Sequence, residues 1–289
     1  MNNSPLRQYG DHRRDWRDNL YVYPVISRRS QGLSIGINLS PSAVCNFNCV
    51  YCQVDRSRRR PTSKVDLAGL RAELAEMIAE VQSGRLWQDP LFSDVPRKKQ
   101  HINDLAFSGD GEPTASPCFR EGVELAVELK REAGLDDTKI VLITNASQLR
   151  KPEVEAALAV MDENNGQVWA KLDAGTAGHF QAVNRTNVPL QQVVDNIIAV
   201  ARLRPIVIQS LFMRIAGQPP YEVELAAYTD RLREIVDAGG KIDYVQVYTV
   251  ARRPAEEDVE PLTPAELDRI TELVRQTGIP AEAFYGSES

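Results

Sequence analysis

The sequence is short of the residues that most often hold metals: among 289 residues it has four cysteines and three histidines. His12, His101 and His179 stand far apart, so an imidazole-based metal site has no local pattern to rest on. No apolar run reaches the roughly 20 residues needed to cross a bilayer, and the first residues, Met1-Asn-Asn-Ser-Pro-Leu-Arg-Gln, lack the apolar core of a secretory signal. These absences predict a cytoplasmic chain with no membrane partner, a reducing setting in which cysteines serve metal binding more readily than cross-linking. Positive charge is not in surplus either. The net charge of −6 excludes a broadly basic nucleic-acid surface, although local basic runs occur at Arg28 and Arg29, at Arg56, Arg58, Arg59 and Arg60, and at Arg97, Lys98 and Lys99. No low-complexity stretch or long linker divides the chain, and with 43% hydrophobic and 26% charged residues it reads as a single large globular domain. The expected organisation is an N-terminal extension over 1–30, a core domain over 31–280 and a short tail over 281–289.

Three of the four cysteines fall in one eight-residue stretch, Cys45-Asn-Phe-Asn-Cys49-Val-Tyr-Cys52. Thiolates at spacings of four and three can hold three corners of a cubane iron-sulfur cluster and leave the fourth iron open. The alternative reading is structural zinc, which takes four thiolates, or three and an imidazole. That reading wants a fourth ligand, and the remaining candidates, Cys118 and the three histidines, all lie outside the loop.

From residue 34 onward, short β-rich runs alternate with amphipathic segments. Strands are predicted at 34–39, 104–108, 139–144, 167–173, 206–212 and 244–250, each enriched in Val, Ile, Leu or aromatic residues. Helices are predicted between and after them, the clearest where Leu67, Leu70, Leu74, Met77, Ile78 and Val81 fall on one face. Others are expected at about 119–133, 152–162, 189–203, 221–238 and 264–277, the last opening with Thr263-Pro264. Six successive βα units with right-handed crossovers predict an α/β fold, a partial (β/α)6 TIM-like barrel rather than a closed eight-stranded one. Functional groups in such barrels lie at the carboxyl ends of the strands. The cysteine loop follows the first predicted strand, Ser108-Gly109-Asp110-Gly111-Glu112-Pro113 follows the second, Asn145 ends the third and Lys171-Leu-Asp173 ends the fourth. Cys118 stands alone after the second strand, either as a small buried hydrophobe or, if it faces the barrel mouth, as a hydrogen-atom donor.

The trio, with Tyr51 just before its last cysteine, resembles the signature of radical S-adenosylmethionine (SAM) enzymes, whose partial (β/α)6 barrel places the cluster loop after its first strand. Within that superfamily, Ser27-Arg-Arg-Ser30, the 34–39 strand, 45–53, 107–114, 171–175, Asn184-Arg185 and Val245-Gln-Val-Tyr248 together resemble the branch that includes wyosine-forming tRNA enzymes and their uncharacterised bacterial relatives. The resemblance implies a 4Fe-4S cluster on Cys45, Cys49 and Cys52, and SAM on the open iron. Gly109, Gly111 and Glu112 correspond to the element that binds the methionine amino group of SAM. Asn145 and Asp173 are candidates for its ribose or carboxylate, Tyr51 and Tyr248 for flanking the cofactor, and Lys171 and Cys118 for catalysis. The implied activity is reductive cleavage of SAM to a 5′-deoxyadenosyl radical, an oxidoreductase-type chemistry fed by an external one-electron donor such as flavodoxin or ferredoxin. The substrate stays open between a tRNA base and a small metabolite or peptide. One departure bears on this: wyosine-forming enzymes carry further cysteines upstream for a second cluster, and no cysteine precedes Cys45 here.

Overall fold

The structure is a computed structural model that describes residues 8, 16–29, 31–54, 64–252, 254 and 256–286. Two compact units emerge, both discontinuous in sequence. One takes residues 1–45, 56–143 and 152–167, the other 46–55, 144–151 and 168–289. The boundary between them falls inside the cysteine loop, after Cys45.

The first unit is built on β1 (Val22–Ile26), β2 (Leu33–Ile37), β3 (Ile102–Phe107) and β4 (Lys139–Thr144), in that order. β2, β3 and β4 run parallel, and β1 folds back antiparallel on β2. Helices α1 (Leu67–Gln82), α2 (Phe119–Glu132) and α3 (Pro152–Asp162) supply the crossovers. α1 starts where the Asp66 side chain accepts from the Ala68 amide, and it buries Leu70, Leu74, Met77, Ile78 and Val81, the stripe expected from sequence. β1 was not foreseen. It carries Pro24 opposite Ile35, which a strand paired on one side tolerates and a sequence pattern does not announce. Gly36 sits opposite Tyr23, whose ring lies where a side chain at 36 would be, with Cζ 2.3 Å from the position of a Cβ.

The second unit carries β5 (Gly166–Lys171), β6 (Ile206–Leu211), β8 (Ile242–Tyr248) and β10 (Ala281–Phe284), all parallel, and a separate antiparallel ribbon of β7 (Met213–Ile215) with β9 (Val259–Pro261). Its helices are α4 (Ala177–Asn184), α5 (Leu190–Leu203), α6 (Glu222–Asp237) and α7 (Pro264–Arg275). α7 opens on the expected Thr263-Pro264, completed by a capping box with Glu266. Residues 281–284, read from sequence as the start of a tail, are a strand paired with β8, so Phe284 stands level with Tyr248. β1 and β10 are each paired on one side only, so the strands do not close into a ring. The α/β, partial-barrel expectation holds.

Candidate active site

In the first unit, the loops after β2 and β3 meet at the carboxyl ends of their strands. The Asn38 amide donates to Asp110 Oδ2 (2.8 Å) and its Oδ1 accepts from the Asp110 and Ser40 amides. Gly109 has φ +147°, and a Cβ there would stand 2.5 Å from Asn38 Oδ1; a Cβ at Gly111 would stand 2.2 Å from the Val44 carbonyl. Both glycines are thus required by close approach, and they hold the 109–112 turn against the segment that leads into Cys45. Glu112, 3% exposed, accepts from the Thr114 amide and hydroxyl (3.2 and 2.6 Å). Behind the turn, the Tyr23 and Ser108 hydroxyls are hydrogen-bonded at 2.9 Å.

In the second unit, the remainder of the cysteine loop is clamped by the end of α4. The amides of Asn48 and Val50, on either side of Cys49, donate to the carbonyls of Asn184 and Val183 (3.1 and 2.9 Å), and Thr186 Oγ1 donates to the Asn46 carbonyl. Asn46 is also tied to Asn145 and Ser147 through its side chain (2.8 Å each). Tyr51 and Val50 enter an apolar cluster with Val183, Leu211, Met213, Tyr248, Val250, Val259 and Phe284, against which Cys49 packs.

At the centre of this cluster lies a polar knot on the end of β5. Lys171 and Asp173, two residues apart, project to the same side. Tyr51 donates its hydroxyl to Asp173 Oδ2, and Lys171 Nζ reaches the Tyr51 oxygen at 3.2 Å while lying 4.7 Å from its ring centroid. Asn184 Nδ2 donates to the same Asp173 oxygen (3.1 Å) and to Cys49 Sγ (3.5 Å), and Asp173 Oδ1 takes the Leu211 amide (2.9 Å). Burial pulls the Lys171 ammonium down, but Tyr248, Asp173 and Cys49 together hold it above its ordinary value. Burial, reinforced by Asp173, pushes the Tyr51 phenol well above its usual range. Burial likewise pushes the Cys49 thiol up to about 11, against the pull of Lys171. Held so, the Lys171 ammonium is suited to pairing with an anionic group or donating a proton.

The polarity extends down the strands. Lys171, Gln209 and Gln246 are in register across β5, β6 and β8. Gln209 Nε2 donates to Gln246 Oε1 (2.7 Å), Gln246 Nε2 donates in turn to the Tyr244 hydroxyl (2.9 Å), and the buried Gln209 Oε1 has no partner among the described residues. On the other side of β5, the buried Glu224 of α6 receives the amides of Gly175 and Thr176 and the Thr176 hydroxyl, fixing the turn that follows Asp173.

The sequence-predicted residues therefore sort into places. Gly109, Gly111 and Glu112 form the turn after β3; Tyr51, Lys171, Asp173 and Tyr248 share the knot in the second unit with Cys49. Asn145 has its amide engaged with Asn46 and Ser147, a loop-fixing part. Cys118 precedes α2, its sulfur 3.2 Å from Ser116 Oγ. Arg28 and Arg29 lie in the β1–β2 turn, at the amino end of β2, and Lys99 reaches that turn through Gln31 (2.9 Å). These cations stand at the far end of β2 from Asn38, roughly 16 Å along the strand, and not beside the cysteine loop as their place in the sequence suggests. Arg56, Arg58, Arg59, Arg60 and His12 lie outside the described residues. Sequence reasoning missed Glu224 and gave Asn184 no role; each acts through a partner more than ten residues away, and only the short Thr176-capped helix hints at the second.

None of the four cysteines is in a disulfide, and each is partly exposed. Among the described residues, no group of three or more Cys, His, Asp or Glu side chains is placed to hold a metal ion.

Comparison with known proteins places this geometry. No protein-family model matches the chain. The solved structure of a radical SAM methyltransferase from Sphaerobacter thermophilus aligns with 91% of this chain and 69% of its own at a TM-score of 0.63 and 14% identity. The structure of TYW1 with a lysine-pyruvate adduct bound aligns with 86% of this chain and 74% of its own at a TM-score of 0.52 and 11% identity. The fold is thus that of radical SAM enzymes. Among curated sequences, a protein named GTPase Obg from Brachyspira hyodysenteriae is 26% identical over 85% of this chain and 32% of its own length. UPF0026 protein MJ1312 from Methanocaldococcus jannaschii is 28% identical over 61% and 48%. The chain spans a third to a half of the length of these relatives. It contains no GxxxxGK[ST] phosphate loop of the kind that marks many NTPases.

Proposed function

We propose that this protein is a radical SAM enzyme. The observation that carries the reading is the CxxxCxxC loop set immediately after β2 in a fold shared with radical SAM enzymes. The donor set suits an iron-sulfur cluster: three thiols outside any disulfide, with Cys49 against apolar side chains and within reach of an N–H donor. A cubane also spreads its thiolates over different irons, so it does not ask them to converge as zinc does. Cys45, Cys49 and Cys52 would hold the cluster, which when bound supplies the electron that cleaves SAM to a 5′-deoxyadenosyl radical.

The chain's own part is to seat and shield. The Gly109–Glu112 turn offers backbone groups and a buried carboxylate suited to the amino group of SAM. The apolar cluster around Tyr51 and Tyr248 keeps water from the reacting region. Lys171, held as a cation beside Tyr51, Tyr248 and Asp173, is suited to an anionic substrate group or to returning a proton to product. A tRNA base is one substrate class, supported by the resemblance to wyosine-forming enzymes. The net charge of −6 supports the second class, a small metabolite or peptide.

Anaerobic reconstitution with iron and sulfide, followed by electron paramagnetic resonance of the reduced protein with and without SAM, tests the proposal. A reduced 4Fe-4S signal that changes on adding SAM is expected, as is loss of SAM cleavage in Cys49→Ala. One zinc per chain and no cluster would refute it.

A further inference from the structure

Asn184, the last residue of α4 and 3% exposed, holds a position that packing alone does not explain. Its Nδ2 serves two acceptors at once, Asp173 Oδ2 at 3.1 Å and Cys49 Sγ at 3.5 Å. The orientation of the amide follows from chemistry: a carboxylate oxygen that accepts from Tyr51 and from Asn184 calls for nitrogen, not oxygen, on the facing side. The consequence is an orphan, because Asn184 Oδ1 is buried without a partner among the described residues. An unpaired buried acceptor is unfavourable, so the side chain is placed for what its N–H groups reach. Backbone hydrogen bonds from Asn48 and Val50 to Asn184 and Val183 bracket Cys49 and fix the sulfur relative to the amide.

We propose that Asn184 is a positioning residue for Cys49 that sets the reduction potential of the metal centre carried by this thiolate, with Asp173 as the anchor that orients the amide. The role rests on the radical SAM reading. Hydrogen bonds to the sulfurs are among the levers that tune iron-sulfur potentials, and the outer partners of a ligand orient it. An N–H donor lowers the energy of negative charge on sulfur, and the reduced cluster carries more of that charge. The donor therefore raises the potential, which eases delivery of the electron to the cluster from its external donor and weakens the cluster as a reductant.

The test is a redox titration, followed by electron paramagnetic resonance, of reconstituted wild-type protein, Asn184→Ala and Asn184→Asp. The midpoint is expected to fall in Asn184→Ala and further in Asn184→Asp, which keeps the shape of the side chain and sets a carboxylate beside the sulfur. Iron content should stay near wild type. Unchanged midpoints in both variants would overturn the proposal, as would loss of iron from both at unchanged helix content, which would leave Asn184 a scaffold only. Failure of the wild-type protein to assemble any cluster would instead refute the radical SAM reading beneath it.

Discussion

Asp173 is the residue on which the second unit's site turns. It takes three donors, from Tyr51, Asn184 and the Leu211 amide, and lies close enough to Lys171 to hold its charge. Asp173→Ala strands these donors in an apolar pocket, at about 1–3 kcal/mol for each left unpaired. An overall loss of roughly 3 kcal/mol or more is expected, read as a lower denaturant midpoint with an unchanged slope. A midpoint within error of wild type would mean that water replaces the carboxylate. At this scale the sequence was informative where chemistry is local. Gly109, Gly111, Lys171 and Asp173 announce themselves by type and by their place at strand ends. Asn184 and Glu224 do not, because an amide or a carboxylate on a helix looks like any solvated residue until its distant partner is known.

At the scale of elements, the turn after β5 is held from outside by α6. A Cβ on Gly175 would stand 2.1 Å from the Tyr228 amide nitrogen, which belongs to helix backbone and cannot rotate away. Gly175→Ala should therefore cost at or above the upper end of the usual 1–3 kcal/mol for overpacking. Gly84→Ala is the control: it meets nothing within 4 Å and suffers only from φ +79°, at about 1 kcal/mol. Thermal melts of the two variants separate these outcomes, and equal melting temperatures would contradict the close approach. The six long strands and six of the helices are legible in sequence because each carries its own hydrophobic period. β10 is not, since Ala-Glu-Ala-Phe has little strand preference and is shaped by pairing with β8. α4 is short, and β7 and β9 are three residues each, below the length at which a pattern can repeat.

At the scale of the whole molecule, the described basic turns of the first unit lie away from its glycine turn. In the first unit the basic side chains of the β1–β2 turn and the 97–99 turn sit at the amino ends of β2 and β3, while Asn38 and the 109–112 turn sit at the carboxyl ends. Paired Arg28→Ala and Lys99→Ala substitutions should therefore leave SAM cleavage by the reconstituted protein unchanged; a marked fall would place those cations in the reaction. Sequence alone could not see this separation, since residues 28 and 45 are close along the chain and a five-residue strand carries them apart. The discontinuity of both units was equally hidden, because no linker or composition shift marks it. Phe284 brings a last point, one of timing. This side chain, which helps wall in Tyr51 and Cys49, is made more than two hundred residues after Cys52. At about 5–20 residues per second, the thiols wait on the ribosome for roughly ten to fifty seconds before their cover exists. Newly made chains pass through an interval in which the cysteine loop lacks this cover and its thiols are open to oxidants.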